Sequence, residues 1–340
     1  MAPITTSLGR ARWTVLGIAV VTLLAGCGND DPGTTTPGAG TTLNVLAGIS
    51  DQQDPNIAVL AYLPESISIA PGATVEWRIP GPERHSVTFL PPGQTVASTP
   101  EAALFEPAPP AGPYDGKSFV SSGLLPQAAV AAPPFRLTFP SVGEFTYVCV
   151  IHPSMTGKVA VVEGKAAKVD TQTNLDTRAD AELTTYLTEG RDAKKKLEDT
   201  PPTMTKNPDG TTSWRFAMGA STAHTAVLAF APAQGEIRPK DQVTFLNDSA
   251  APHTATFASG AQVPVDPTTP AARNATAPSP LTVTPTGGPF NSGTLPGNVP
   301  PGTVPETARS FTFVLPTAGE YAYVCIPHAQ SGMVGTIKVA

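Results

Sequence analysis

The chain repeats part of its own sequence, and this repeat restricts its possible folds more than any other feature. The segment 57–62, IAVLAY, returns as 225–230, TAVLAF, and the segment 143–149, GEFTYVC, returns as 319–325, GEYAYVC. Self-similarity of this kind indicates two copies of one structural unit. A chain of 340 residues is long enough to form a separate hydrophobic core in each copy.

Composition and residue patterning predict that each copy is all-β. Only 14% of the residues are charged, and the chain contains 39 prolines and 30 glycines, which suits short strands joined by tight turns. Apolar residues alternate with polar ones in short segments such as 66–69, 75–79 and 145–149. We therefore predict a sandwich or small barrel for each copy. The proline-rich stretches 90–134 and 258–308 are predicted to be long loops without regular structure.

The segment between the copies has a different pattern. Apolar or small residues recur there at spacings of three and four, namely Leu175, Ala179, Leu183, Tyr186, Leu187, Gly190 and Leu197. This spacing predicts one amphipathic helix that packs between the domains, and a helix that binds a membrane surface or a partner is the alternative.

The N-terminal residues have the pattern of an export signal. Arg10 and Arg12 precede an uncharged stretch, 13–26, that is too short to span a bilayer but suits a signal-peptide core. The stretch ends in LAGC, which resembles the bacterial lipoprotein box, and the resemblance implies that Cys27 is acylated. An ordinary signal peptide is the alternative. We expect an exported protein that is lipid-anchored to a membrane of the bacterial cell envelope, with its domains on the extracytoplasmic side.

These patterns divide the chain into five parts. They are a signal peptide over 1–26, a flexible tether over 27–41, a first domain over 42–163, a helical linker over 164–210 and a second domain over 211–340.

Each copy contains the same set of candidate metal ligands. Cys149 and Cys325 occupy equivalent positions, and each is followed after three residues by a histidine and then by a methionine, in CVIHPSM and CIPHAQSGM. A further histidine begins an upstream strand in each copy. The two sets are His85, Cys149, His152 and Met155, and His253, Cys325, His328 and Met333. Two imidazoles, a thiolate and a weak thioether are the ligands of a blue copper electron-transfer site.

At these motifs both halves resemble the cupredoxins, the plastocyanin-like blue copper family. The first Cys-x2-His-x2-Met loop is similar to that of amicyanin, and the second Cys-x2-His-x4-Met loop is similar to that of plastocyanin. The resemblance implies one type 1 copper ion in each of two Greek-key β-sandwiches, held by the residues named above. The family often has asparagine after the first histidine, where this chain has Ser86 and Thr254.

The function predicted from these features is outer-sphere transfer of single electrons, without enzymatic turnover. The resemblance implies that electrons leave through the imidazole edges of His152 and His328. Pro153, Pro327 and Met155 would form an apolar rim at which redox partner proteins dock transiently. The formal charge of −6 and the absence of a long basic stretch in the sequence argue against a nucleic-acid partner.

Two other functions remain open at this stage. A copper-dependent oxidoreductase, an oxidase or a nitrite reductase-like enzyme, is also built from such repeats, but it needs at least three histidines beyond the blue sites. The chain has five histidines, of which four are assigned above and His224 remains, with a predicted surface or turn role. Copper storage or delivery would favour Met-rich or His-rich tracts, and the sequence contains none.

Overall fold

A computed structural model of the chain describes residues 38–99, 101–125, 133–163, 168–257, 281–284, 290–298 and 301–340. The predicted signal peptide, the predicted lipidation site Cys27 and most of the tether lie outside the described residues. Within the described part of the chain, no helix is both long enough and apolar enough to span a membrane.

The first copy folds into short strands, as the alternating pattern predicts. The strands are β1 (Thr42–Ser50), β2 (Ile57–Leu63), β3 (Ser66–Ile69), β4 (Ala73–Arg78), β5 (Thr88–Phe89), β6 (Pro107–Ala108), β7 (Val120–Ser122), β8 (Phe135–Phe139), β9 (Gly143–Cys149) and β10 (His152–Val161). Strands β6 and β7 and a short helix α1 (Glu101–Phe105) fall within the stretch predicted to lack regular structure. That prediction is wrong in part, because β7 pairs with β5 and extends the sheet.

The second copy follows after a long helix α2 (Gln172–Asp199). Its strands are β11 (Thr203–Lys206), β12 (Thr212–Ser221), β13 (Thr225–Ala231), β14 (Gln234–Ile237), β15 (Gln242–Leu246), β16 (Thr256–Phe257), β17 (Leu281–Thr282), β18 (Phe290–Asn291), β19 (Ser310–Val314), β20 (Gly319–Val324) and β21 (Val334–Val339). The predicted all-β, two-domain cupredoxin-like fold with a helix between the domains is confirmed. Strand β11 lies in the predicted linker but pairs with β12.

Each copy closes a core between two sheets. In the first, β2, β1, β4 and β8 face the sheet β3-β10-β9-β5-β7-β6, and in the second, β13, β12, β15, β19 and β17 face β14-β21-β20-β16-β18. Aromatic side chains fill both cores: Trp77 contacts Tyr147 edge to face with ring centroids 5.2 Å apart, and Phe245 contacts Tyr323 likewise at 5.0 Å. Such pairs stabilise a core beyond the area that they bury.

The two copies join through one continuous sheet. Strand β2 pairs antiparallel with β13, with Ala58 opposite Ala226, Ile57 opposite Val227 and Val59 opposite Thr225. Because 57–62 and 225–230 are the two copies of one repeat, equivalent residues face each other about a local two-fold axis at Ala58 and Ala226. The junction is therefore symmetric, and every residue of β2 is buried.

Helix α2 packs across this junction, as its spacing predicts. Thr171 caps its N-terminus by accepting a hydrogen bond from the backbone N–H of Asn174, at 3.3 Å. Gly190 is buried, and a Cβ there would lie 2.5 Å from a methyl carbon of Thr225 and 2.7 Å from one of Ile57. The absence of a side chain at Gly190 thus lets the helix approach both copies at equivalent positions.

Candidate metal centres

The structure brings three of the four predicted ligands of the first copy together. Cys149 ends β9, His152 begins β10 opposite it, and His85 forms an isolated bridge with Leu125. The sulfur of Cys149 lies 3.8 Å from Nδ1 of His85 and 3.6 Å from Nδ1 of His152, and the two Nδ1 atoms are 3.2 Å apart. All three side chains are buried.

The second copy builds the same cluster from equivalent residues. The sulfur of Cys325 lies 3.6 Å from Nδ1 of His253 and 3.2 Å from Nδ1 of His328, and the two Nδ1 atoms are 3.0 Å apart. The turn after β20 brings these groups together, because the backbone N–H of His328 donates to the carbonyl of Cys325 at 3.2 Å. The fold thus places a thiol and two imidazoles at one point in each domain.

The size of both clusters fits a first-row transition metal ion. A triangle with sides of 3.2, 3.6 and 3.8 Å has its corners about 2.1 Å from a common centre, and the second triangle is slightly smaller. Imidazole nitrogen and thiolate sulfur bind such ions at about 2.0–2.3 Å. One thiolate with two imidazoles in a trigonal arrangement is the donor set of blue copper sites.

The fourth predicted ligand of each set is buried in the same core as the cysteine. Met155 is 1% exposed in the core that includes Cys149, and Met333 is fully buried in the core that includes Cys325. The backbone N–H of Cys325 also donates to the carbonyl of Met333 at 3.0 Å. Coordination by the two thioethers stays a prediction.

A backbone hydrogen bond to each sulfur is present although the usual asparagine is not. The N–H groups of Ser86 and Thr254 donate to the sulfurs of Cys149 and Cys325, at 3.4 Å in both copies. A donor aimed at a thiolate stabilises its negative charge and limits its movement. The hydrogen bond to each sulfur comes from the backbone, so it is present with serine or threonine at this position.

Two glycines that the sequence analysis did not identify make room for the upstream histidines. Gly48 and Gly219 lie at β-bulges in β1 and β12 and have φ values of 71° and 80°. A Cβ at Gly48 would lie 2.7 Å from Cδ2 of His85, and one at Gly219 would lie 2.9 Å from Nε2 of His253. Their recurrence in LAGIS and AMGAS, just upstream of the first repeated segment, is the sequence signal that could have identified them.

Burial keeps most of the imidazoles neutral. Desolvation, with the neighbouring imidazole second, lowers the pKa of His85 and of His253 well below the usual value, and desolvation lowers the pKa of His152 to about 4. Burial also raises the pKa of the Cys149 thiol. Neutral imidazoles are ready to bind a metal, whereas the thiol must lose its proton on binding.

His328 differs from the other three histidines. Burial alone would lower its pKa, but the carboxylate of Glu83 and the sulfur of Cys325 raise the pKa of His328 to about 10. Burial would likewise raise the pKa of Glu83, but the charges of His328 and His152 and the hydrogen bonds from His328 and Ser331 together lower it. A residue of the first domain thus acts directly on the second cluster.

The prediction that partners dock at exposed imidazole edges of His152 and His328 is wrong for this structure, because both side chains are buried. The resemblance implied that His152 and His328 present an imidazole edge to solvent, but their exposed fractions are 2% and 3%. Met155, predicted to belong to an apolar rim, is also buried. Nε2 of His328 lies 3.3 Å from Oε2 of Glu83, a residue of the first domain, so this edge faces the domain interface.

The fifth histidine, His224, lies away from both clusters. Its Nε2 is 3.2 Å from Oε1 of Glu65, and its ring stacks on Tyr186 of helix α2 with centroids 4.1 Å apart. The groups of three or more candidate metal ligands found in the described residues are the two clusters above, and neither includes His224. His224 lies in the bend between β12 and β13 with its side chain 33% exposed, a position that fits the predicted surface or turn role.

The chain has an all-β, two-domain, cupredoxin-like fold with one His-Cys-His cluster in each domain. Residues 217–340 match the family model of copper-binding proteins of the plastocyanin/azurin family. The first domain contains a cluster of the same three residue types. Similar solved structures include an amicyanin mutant in its reduced Cu(I) form at pH 4, with 20% identity over 36% of this chain and 83% of that one and a TM-score of 0.24. A mutant plastocyanin of fern is 23% identical over 35% of this chain and 99% of that one, with a TM-score of 0.23.

Proposed function

We propose that the protein carries single electrons in the bacterial cell envelope on two type 1 copper ions, one in each domain. The observation that carries this proposal is the repeated, buried triangle of one cysteine sulfur and two histidine Nδ1 atoms. Copper, when bound, supplies a couple between Cu(II) and Cu(I) that exchanges one electron. Two complete triangles support two ions per chain.

The protein's own residues keep such a site rigid and dry. His85, Cys149 and His253 are at most 1% exposed, and the second sulfur, Cys325, is fully buried. Donors that are already fixed by packing and by backbone hydrogen bonds move little when the charge of the site changes. A small reorganisation favours fast electron transfer, and the burial of these donors does not favour substrate binding.

An enzyme remains the second candidate, and the position of His224 argues against it. Reduction of oxygen or nitrite needs an open coordination position, usually built from further histidines. His224 is held between Glu65 and Tyr186, away from both clusters. We therefore infer electron transfer without catalytic turnover.

Copper content and the visible spectrum of the purified chain test the proposal. We expect two copper ions per chain, an intense visible thiolate-to-copper band, and rapid reversible electron exchange with a small redox protein. A chemically reduced sample should consume neither oxygen nor nitrite catalytically. Multiple turnovers that are abolished by His224→Ala would contradict the carrier function and indicate a catalytic ligand.

We also propose that transiently docking redox proteins supply and accept the electrons, and that Cys27 anchors the chain to the membrane by lipid. Because His152 and His328 are buried, partners must approach from a face other than these edges. Cys27→Ala should release the protein from the membrane fraction without changing its colour. Mass spectrometry that finds an unacylated N-terminus on membrane-free wild-type protein would refute the anchor.

A further inference from the structure

Glu83 belongs to the first domain, yet its carboxylate contacts a ligand of the second cluster. Its Oε2 lies 3.3 Å from Nε2 of His328, with the Glu83 side chain 12% exposed and the imidazole 3% exposed. Its Oε1 accepts a hydrogen bond from the hydroxyl of Ser331 at 3.2 Å. Burying a carboxylate is costly unless both oxygens have partners, and here both oxygens have one.

The contact falls on the nitrogen that does not face the cluster. Nδ1 of His328 lies 3.2 Å from the sulfur of Cys325 and 3.0 Å from Nδ1 of His253. An imidazole that binds a metal through Nδ1 carries its proton on Nε2, so His328 donates to Glu83. This hydrogen bond fixes the ring orientation and makes Nδ1 a stronger electron donor.

The first domain also holds the loop that carries His328. The side-chain amide of Asn56 donates to the carbonyl of Ser331 at 2.7 Å and to that of Leu228 at 2.8 Å. Ser331, itself 1% exposed, is therefore bound by two residues of the first domain, Asn56 and Glu83. The surroundings of the second cluster are complete only when the first domain is in place.

The second domain has no carboxylate at the position equivalent to Glu83. Glu83 lies two residues before His85, and the residue two before His253 is Ala251. Ala251 is buried and has no polar side-chain atom. The two clusters have the same donors, but they differ in the group that the other domain presents to them.

We propose that Glu83 is a positioning residue, supplied by the first domain, that fixes His328 and lowers the reduction potential of the second copper site. This inference rests on the proposed function, namely that both clusters hold copper. A nearby negative charge and a stronger imidazole donor both favour the more highly charged Cu(II) over Cu(I). The charge of Glu83 also acts on His152 of the first cluster. Its hydrogen bond, however, is to His328, so we expect the change in reduction potential to be larger at the second site.

Full-length proteins with one site each allow the two potentials to be measured separately. Cys149→Ser should leave copper only in the second domain, and Cys325→Ser only in the first. Each is equilibrated with a fixed mixture of ferrocyanide and ferricyanide, and the reduced fraction is measured from the visible band. Adding Glu83→Gln should raise the ratio of Cu(I) to Cu(II) at the second site by about tenfold, the effect of losing one charged hydrogen-bond partner. The change at the first site should be several times smaller.

Glu65→Gln is the matched control, because the Glu65 carboxylate lies 3.2 Å from Nε2 of a histidine that is not in either cluster, His224. It should leave both ratios unchanged. Glu83→Asp keeps the charge but shortens the side chain, so it should raise the ratio of Cu(I) to Cu(II) at the second site by a smaller factor. This variant tests the inference if Glu83→Gln does not fold.

Two results would overturn the inference in folded, copper-loaded protein. One is a shift below about twofold at the second site in the Glu83 variants, and the other is an equal shift at both sites. Failure of the unmodified chain to bind copper or to show the visible band would instead refute the proposed function.

Discussion

The hydroxyl of Ser86 accepts a hydrogen bond from the backbone N–H of Val150 at 2.9 Å. This contact ties the residue after one candidate ligand, His85, to the residue after another, Cys149. The second copy repeats it, since Thr254 accepts from the backbone N–H of Ile326 at 2.9 Å. A short hydroxyl side chain thus connects two segments of each cluster that are far apart in sequence.

Removing this hydroxyl should destabilise the domain and loosen its cluster. We expect Ser86→Ala to lower the free energy of unfolding by about 1–3 kcal/mol, because it leaves the buried N–H of Val150 without its acceptor. The chain provides the matched control: Ser86→Thr places in the first copy the residue that the second copy uses, Thr254, and should cost much less. Chemical denaturation of the apoprotein measures both. Equal losses for the two variants would show that the hydroxyl is not the stabilising group.

Adding even a methyl group at Gly48 or Gly219, the glycines beside the upstream histidines, should disturb the clusters. Gly48→Ala would place a methyl group against the ring of His85 at a position with φ of 71°, so we expect a loss of about 1–3 kcal/mol in stability and weaker copper binding by the first domain. Gly93 has φ of 82°, and a Cβ added there would meet nothing within 4 Å, which makes Gly93→Ala the control for backbone strain alone. Copper titration of both variants distinguishes the causes. Normal copper affinity in Gly48→Ala would mean that the ring moves aside freely.

The clusters could be predicted from sequence, whereas the domain junction could not. Cys149 and Cys325 mark equivalent positions, and the spacing of their neighbours already specifies the donors. The pairing of β2 with β13 depends instead on which edge strand of one copy meets which edge strand of the other. The fully apolar segment 57–63 is consistent with burial by a neighbouring strand, a helix or a second sheet, so the sequence does not specify the pairing. The burial of His152 and the contact of Glu83 with His328 are consequences of that junction.

Each thiolate should account for one copper ion and its share of the visible colour. We expect Cys149→Ser and Cys325→Ser each to bind one ion fewer than the unmodified chain, because the hydroxyl of serine is a poor ligand for copper in this setting. The double variant should be colourless. Metal analysis and the visible spectrum, measured on the same samples, check this expectation. Full copper loading of the double variant with the band retained would contradict the assignment of both cysteines.

The apoprotein should lose stability as the pH falls below neutrality. In the folded chain the pKa of His85 and of His253 lies well below the usual value, and that of His152 is about 4. Below about pH 6.5 the unfolded chain therefore binds protons that the folded chain does not, and each such histidine lowers the free energy of unfolding by up to about 1.4 kcal/mol per pH unit. His328 has the opposite sign: its pKa is raised to about 10, so its contribution is complete below about pH 6.5 and is lost as the pH rises through 10.

Urea denaturation of the apoprotein at a series of pH values between 6.5 and 5 measures this dependence. His85→Gln should make the slope shallower, because one proton fewer is taken up on unfolding. Identical slopes in the unmodified protein and in His85→Gln would show that His85 is already protonated in the folded chain. A buried, protonated His85 beside His152 would oppose binding of a metal cation, because both imidazoles must be neutral to coordinate it.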